Sequence, residues 1–314
     1  MPVAGGLHHR MWRLETARGA YAVKQLCADT DLDDPAIVCH YNVSEAIAEA
    51  FAGHGIPAIF ALRRGADYLQ IIQGQGYLVH PWCDGVALSL NEISEIHALA
   101  VARILARMHR ADIEFAELKE HVFATHPEET IVALVELASA FRTAHAERLR
   151  RELPALLDIV ASAGAAARSL SRQLVISHGD LDQKNVLWSP RGEPALIDWE
   201  SARRLHPTYE VLLEAFNWSG IGLRFEPVLF REFVSAYRQA GGVIERDALE
   251  ASYRCILGDW VYWLMYNVGR SIDQENADQR VLGAGQVEFA LAALMRLREH
   301  GPEVVSIPVR QQGC

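Results

Sequence analysis

The run His178-Gly179-Asp180-Leu181-Asp182-Gln183-Lys184-Asn185, with Ile197-Asp198-Trp199 following it, constrains this chain more than any other feature. Residues 174–176 are apolar and β-favouring, so they read as a short strand that enters a loop at His178. Residues 185–189 and 194–198 read as two further strands. Ser189-Pro190-Arg191-Gly192 between them fits a type I turn, with Pro fixing φ at the second place and Gly at the fourth. A symmetric hairpin pairs Ser189 with Pro194 and sets Asn185 opposite Asp198. Directly opposed residues of a ladder lie about 4.5–5.5 Å apart. One amide oxygen and one carboxylate then converge, a donor pair suited to Mg²⁺, which takes one or two protein oxygens and keeps places for water and phosphate. Asp180 lies just upstream, placed to accept or orient a hydroxyl proton, a role worth about 10²–10⁴-fold in rate.

In this order His178-x-Asp180-x-x-x-x-Asn185 and Ile197-Asp198-Trp199 resemble the catalytic core of the aminoglycoside phosphotransferase and choline kinase-like family of small-molecule kinases. The resemblance implies an α+β, protein-kinase-like fold of two lobes, a small strand-rich one over residues 1–82 and a larger helical one over 83–314. It implies Asp180 as the catalytic Asp, Asn185 and Asp198 as Mg²⁺ ligands, and ATP as the phosphoryl donor. Gly179 stands where protein kinases carry Arg, which favours the small-molecule branch. His178 is expected to brace the loop.

The N-terminal third agrees with that resemblance. Gly5-Gly6-Leu7-His8-His9 looks like the family's glycine-containing nucleotide loop, and residues 10–14 like the strand after it. Ala17-Arg18-Gly19 reads as a hairpin turn and residues 21–24 as the next strand, with Ala22 and Lys24 on one face. Lys24 matches the lysine that contacts the α- and β-phosphates. A helix beginning near Ser44-Glu45 and stopping at Gly53-His54-Gly55 and Pro57 resembles the one whose Glu pairs with that lysine. Glu45 and Glu49 lie one turn apart on the same face, and the spacing to Gly55-Ile56-Pro57 favours Glu45. Residues 76–85 resemble the strand and hinge that receive the nucleotide base, which brings His80 and Trp82 to the nucleotide side.

Beyond the hinge, residues 99–109 read as a long amphipathic helix. Thr125-His126-Pro127-Glu128 reads as a capping box opening a helix toward Arg150, with a new helix starting at Pro154. Residues 258–270 look like a C-terminal helix of the bacterial members, offering Asp259 and Asn267 as weaker site candidates. Two departures stand out. Leu205-His206-Pro207-Thr208-Tyr209-Glu210 replaces a Gly-Asp-Pro-x-x-Asp segment common in relatives, and Asp182 occupies a place where relatives carry His or a small residue.

A net charge of −10 over 314 residues argues against broad nucleic-acid or membrane-surface binding and is compatible with a cationic small-molecule acceptor. Glu200, Glu214 and Asp259 are the acids available to such an acceptor. The first residues show no basic-then-apolar run of the kind expected of a signal region. The nearest approach to an apolar span, residues 155–167, is short and holds Asp158. The five cysteines, at 27, 39, 83, 255 and 314, are scattered and odd in number, as expected of reduced thiols in a cytoplasmic protein. The sequence therefore predicts a cytoplasmic, Mg·ATP-dependent kinase acting on a hydroxyl of an aminoglycoside-like antibiotic. The alternatives are a metabolite kinase for choline, homoserine or a sugar, and a non-catalytic nucleotide-binding protein on the same fold.

Overall fold

The computed structural model describes residues 1–3, 9–118 and 120–305, the last four without their side chains. The expected glycine loop at Gly5-Gly6 lies outside the described residues. The chain divides into two compact units. The first comprises Met1–Ser89, Arg107–Lys119 and Ile176–Arg204; the second comprises Leu90–Ala106, Glu120–Val175 and Leu205–Cys314.

The first unit is built on an antiparallel five-stranded sheet. Its strands are β1 (Pro2–Val3), β2 (Arg10–Thr16), β3 (Gly19–Gln25), β4 (Gln70–Ile72) and β5 (Gln75–Pro81), in the order β1-β2-β3-β5-β4. The expected turn at Ala17-Arg18 joins β2 to β3, with Thr16 opposite Gly19. Lys24 pairs with Leu78 and Ala22 with His80 across β3 and β5. Opposed residues share a face, so Lys24, Leu78, Ala22 and His80 all point one way. Leu78 on that face belongs to a core with Leu26, Ala61, Tyr68 and Leu69, against which Val38, Tyr41 and Ala46 of α1 (Pro35–Gly53) pack.

Helix α1 starts nine residues before the expected Ser44. Asp34 caps it, its carboxylate accepting the Ala36 N–H at 2.8 Å, and Pro35 fills the first turn, where no amide donor is needed. The helix stops as expected at Gly53 and His54. Beyond it Leu196 donates its N–H to Pro57 O (2.7 Å) and accepts from Ile59 N (2.9 Å), so the chain after α1 runs alongside β9 (Pro194–Leu196). A second sheet orders β6 (Val86–Ala87), β8 (Val186–Trp188) and β9. A two-stranded ladder joins β7 (Val175–Ser177) to β10 (Arg203–Leu205).

The second unit is helical. The amphipathic helix expected over residues 99–109 forms as α2 (Glu95–His109), whose first turns lie in this unit. Helices α3 (Glu128–Ala140), α4 (Ala146–Ala167), α5 (Pro207–Trp218), α6 (Pro227–Gln239), α7 (Arg246–Ser271) and α8 (Ala277–Val305) follow. Buried Cys255, Val261, Leu264, Met265 and Val268 make α7 the centre of this bundle, packed against α4, α5 and α8. The single helix expected from 128 toward Arg150 is two. α3 ends at Phe141, where Arg142 takes φ 53°, and α4 opens at Ala146. Pro154 lies inside α4 instead of starting a helix. The buried stripe Leu149, Leu156, Ile159, Ala163 and Ala166 runs straight past it, and packing outweighs one lost backbone bond. Because α4 starts earlier than expected, Ala146–Leu170 is long and apolar enough by length and composition to cross a membrane, contrary to the count from the sequence. The stripe is the part of it buried in the bundle. Cys27, Cys39, Cys83 and Cys255 are free thiols, and no disulfide forms among the described residues.

Candidate active site

The hairpin β8–β9 turns through Ser189-Pro190-Arg191-Gly192 with Gly192 N donating to Ser189 O at 2.8 Å, the bond of the expected turn. Gly192 then takes φ 77°, and Ser189 N donates to Glu193 O at 2.9 Å. A type I turn closed by a left-handed residue is the three-residue hairpin with a bulge. That extra residue moves the register by one: Trp188, not Ser189, faces Pro194. Asn185 consequently faces Ile197, whose N–H donates to Asn185 O at 3.0 Å, and Asp198 is the next residue out. The expected opposition of Asn185 to Asp198 is corrected to this diagonal.

Asp198 itself sits at φ 64°, ψ 62°, a left-handed conformation unfavourable by about 1–2 kcal/mol for a residue with a Cβ. It opens the short turn Trp199–Ser201. Two aromatic contacts hold that turn: Trp199 stacks on Phe51 at 5.4 Å and lies 4.6 Å from the His178 ring. His178 Nε2 also bonds Ile197 O at 2.9 Å, so His178 braces the strand end that carries Asp198.

The loop between β7 and β8 fixes the other half of the site. Asn185 donates its amide to Asp180 O at 2.7 Å and to Asp180 Oδ2 at 3.0 Å, which orients the carboxylate and leaves the Asn185 amide oxygen for a cation. Lys184 reaches Asp182 Oδ2 at 2.7 Å and lies 3.0–3.2 Å from the two Asp180 oxygens. Burial and the neighbouring Asp180 charge push the Asp182 carboxyl up to about 6 against the pull of Lys184. Burial opposes the Lys184 charge, but the two carboxylates outweigh it and raise its pKa.

Lys24 is buried and donates to Asp198 Oδ1 and Glu200 Oε2, each at 2.7 Å. Burial works against its charge, yet Asp198 and Glu200 together raise its pKa. His9 Nε2 lies 3.4 Å from the same Glu200 oxygen. Burial disfavours the Glu200 carboxylate, but the His9 hydrogen bond and Lys24 bring it down to about 2. The expected Lys24–Glu45 pair is therefore not the one formed. Glu45 Oε1 lies 3.0 Å from His80 Nε2, and Oε2 accepts the buried Ala61 N–H at 2.6 Å. Both Glu45 oxygens are thus taken by His80 and Ala61, while Lys24 turns to Asp198 and Glu200. Glu49 is bound by Arg63 and by the Tyr68 hydroxyl, both at 2.5 Å. Trp82 donates its backbone N–H to Ala20 O at 3.1 Å and its indole N–H to Asp84 at 2.8 Å, with Arg13 4.7 Å above the ring.

Lys24, Asp180, Asn185, Asp198 and Glu200 all belong to the first unit. In the second unit Glu210 and Glu214 are fully buried. Asp259 accepts the Tyr209 hydroxyl at 2.5 Å, and Asn267, inside α7, donates its amide to Trp263 O one turn back at 2.8 Å. Sequence reasoning missed Glu200 as a partner of Lys24 and His9 as a partner of Glu200. The signal was the two-residue step from Asp198 to Glu200 in one tight turn, which returns both carboxylates to the same cation. Among the described residues no cluster of three or more His, Cys, Asp or Glu side chains could hold a metal ion. The donors that fit Mg²⁺ are the Asn185 amide oxygen and the Asp198 carboxylate, where the Lys24 ammonium already provides the balancing positive charge.

The model of the phosphotransferase enzyme family matches residues 1–251. The chain belongs to that family. Solved structures agree in fold across nearly its whole length. The spectinomycin phosphotransferase determined with ADP and spectinomycin is 13% identical, covers 95% of this phosphotransferase-family chain and 93% of its own, and superposes with a TM-score of 0.70. Ethanolamine kinase from Plasmodium vivax is 15% identical, with coverages of 95% and 82% and a TM-score of 0.59. Macrolide 2'-phosphotransferase from Brachybacterium faecium is 14% identical, with both coverages at 91% and a TM-score of 0.56. No curated protein matches by sequence. The fold is the protein-kinase-like α+β fold that the sequence predicts, with a strand-rich N-terminal sheet and a helical C-terminal part.

Proposed function

We propose that this member of the phosphotransferase family transfers the γ-phosphoryl group of ATP to a hydroxyl of a small molecule, an amino-bearing antibiotic of the aminoglycoside type being the favoured acceptor. The observation that carries the reading is the Asn185 amide bridging to Asp180 within one unit that also holds Lys24 on Asp198. Asp180 orients the acceptor hydroxyl and takes its proton as the new P–O bond forms. Lys24 binds the nucleotide phosphates. β5 and the residues after it, with His80 and Trp82, flank the base. Asn185 and Asp198 would hold Mg²⁺, which when bound offsets charge on the phosphates. Placement and electrostatics supply most of the rate enhancement in such a reaction.

An acidic chain suits a cationic acceptor, which favours the antibiotic over a neutral sugar. A metabolic amino alcohol shares that chemistry and is the rival. The test is nucleoside-diphosphate release with Mg·ATP across aminoglycosides, other amino-alcohol antibiotics, choline, homoserine and sugars. Asp180→Ala is expected to keep nucleotide binding and lose at least about 100-fold in turnover, and Asp198→Asn to lose Mg·ATP-dependent turnover. Near-wild-type turnover in either variant would sink the assignment.

A further inference from the structure

Lys24 is the buried cation of the site, and the acid expected to hold it is committed elsewhere. Both Glu45 oxygens are engaged, one with His80 and one with the N–H of Ala61. Ala61 has no exposed surface. Swinging Glu45 to Lys24 would strand that amide donor, and an unsatisfied buried donor is costly. Glu200 is already at Lys24, 2.7 Å away, and is itself held from the other side by His9. His9 Nδ1 accepts the Cys27 N–H at 3.1 Å, so the ring proton sits on Nε2, the atom facing Glu200. The second partner of Lys24, Asp198, is the carboxylate that a cation on the phosphates would claim. When it does, Glu200 is the one acid of the pair left to keep Lys24 in place.

On the proposed phosphotransferase reading, we infer that Glu200 is the positioning residue for Lys24, that His9 holds Glu200, and that Glu45 ties α1 to β5 through His80. This assigns the lysine's counter-ion to the turn after the metal-binding Asp, not to helix α1. It also couples the segment leading into β2 to that turn through a single carboxylate.

A double-mutant cycle on nucleotide affinity tests it, with Mg·ADP titrated into the full-length chain and folding checked by circular dichroism. Glu200→Gln is expected to weaken Mg·ADP binding about tenfold with the acceptor KM unchanged, and Glu200→Asp, which keeps the charge, to recover part of the loss. In a Lys24→Gln background Glu200→Gln should add less than twofold, because its effect runs through Lys24. Glu45→Gln should lower the melting temperature and add its full effect in that background. If Glu200→Gln does not fold, Glu200→Asp carries the same cycle. Coupling of Lys24 to Glu45 with Glu200 additive would overturn the assignment while leaving the functional reading intact. Wild-type protein that binds no Mg·ADP would overturn both.

Discussion

In the loop between β7 and β8, Asp182 and Asp180 compete for one ammonium, that of Lys184. Asp182 is mostly buried, and its carboxyl titrates near 6 because burial and the charge of Asp180 outweigh the help from Lys184. An acid whose folded pKa is raised binds its proton more tightly folded than unfolded. Its ionised form therefore costs stability above about pH 6, and the cost fades as pH falls from about 6 toward the unfolded value of 3.8. Asp182→Asn keeps the side-chain oxygen that accepts the Lys184 N–H at 3.0 Å and removes the charge. It is expected to raise unfolding stability by on the order of 1 kcal/mol at pH 7.5 and by clearly less at pH 5. Denaturant titrations at the two pH values read this directly, and a gain independent of pH would contradict it. Asp182 stood out in the sequence as a departure from relatives, but its sharing of Lys184 did not. Side-chain partners two and four residues apart in a tight loop depend on backbone angles that spacing alone does not give.

At the scale of elements, two glycines with nearly the same backbone angle separate strain from close approach. Gly179 takes φ 75° and Gly192 takes φ 77°. A Cβ on Gly179 would lie 2.3 Å from Ser201 O, whereas one on Gly192 meets nothing within 4 Å. Gly179 O also accepts from Arg203 at 2.7 Å, so the loop that carries Asp180 lies hard against the strand after Asp198. Gly192→Ala should cost about 1 kcal/mol, the left-handed penalty alone. Gly179→Ala should cost at least about 2 kcal/mol more and lower turnover as Asp180 shifts. Equal losses in the two variants would show that the loop gives way freely. The same hairpin shows where reading the sequence stops. Pro190 and Gly192 announce the turn, but a bulge that changes pairing by one residue depends on the sign of one φ angle. The start of α1 is legible in Asp34-Pro35, a capping residue followed by a first-turn proline, although the stronger apolar pattern lies downstream. The passage of α4 through Pro154 was not legible, because tertiary burial of the Leu149–Ala166 stripe decides it.

For the whole molecule, the division into two units makes a claim about where nucleotide binding is felt. Every residue assigned to the nucleotide and its cation lies in the first unit: Lys24 on β3, His80 on β5, Trp82 just after it, and Asp180, Asn185, Asp198 and Glu200 between β7 and β10. A ligand at one hundred times its Kd stabilises the state that binds it by about 2.7 kcal/mol. Where local opening is cheaper than global unfolding, that gain appears only in the segments whose opening releases the ligand. Hydrogen exchange with and without Mg·ADP should therefore slow in β3, in β5, in the Glu45–Phe51 part of α1 and across residues 178–200. Exchange in α6 and α8 should stay within twofold of the free protein. Asp198→Asn should abolish the difference, since the cation and the diphosphate lose their shared carboxylate. Uniform slowing through both units would mean that they open as one cooperative body, so that binding in the first is paid out over the second. Slowing confined to α6–α8 would move the nucleotide out of the strand-rich unit and, with it, the chemistry assigned to Asp180.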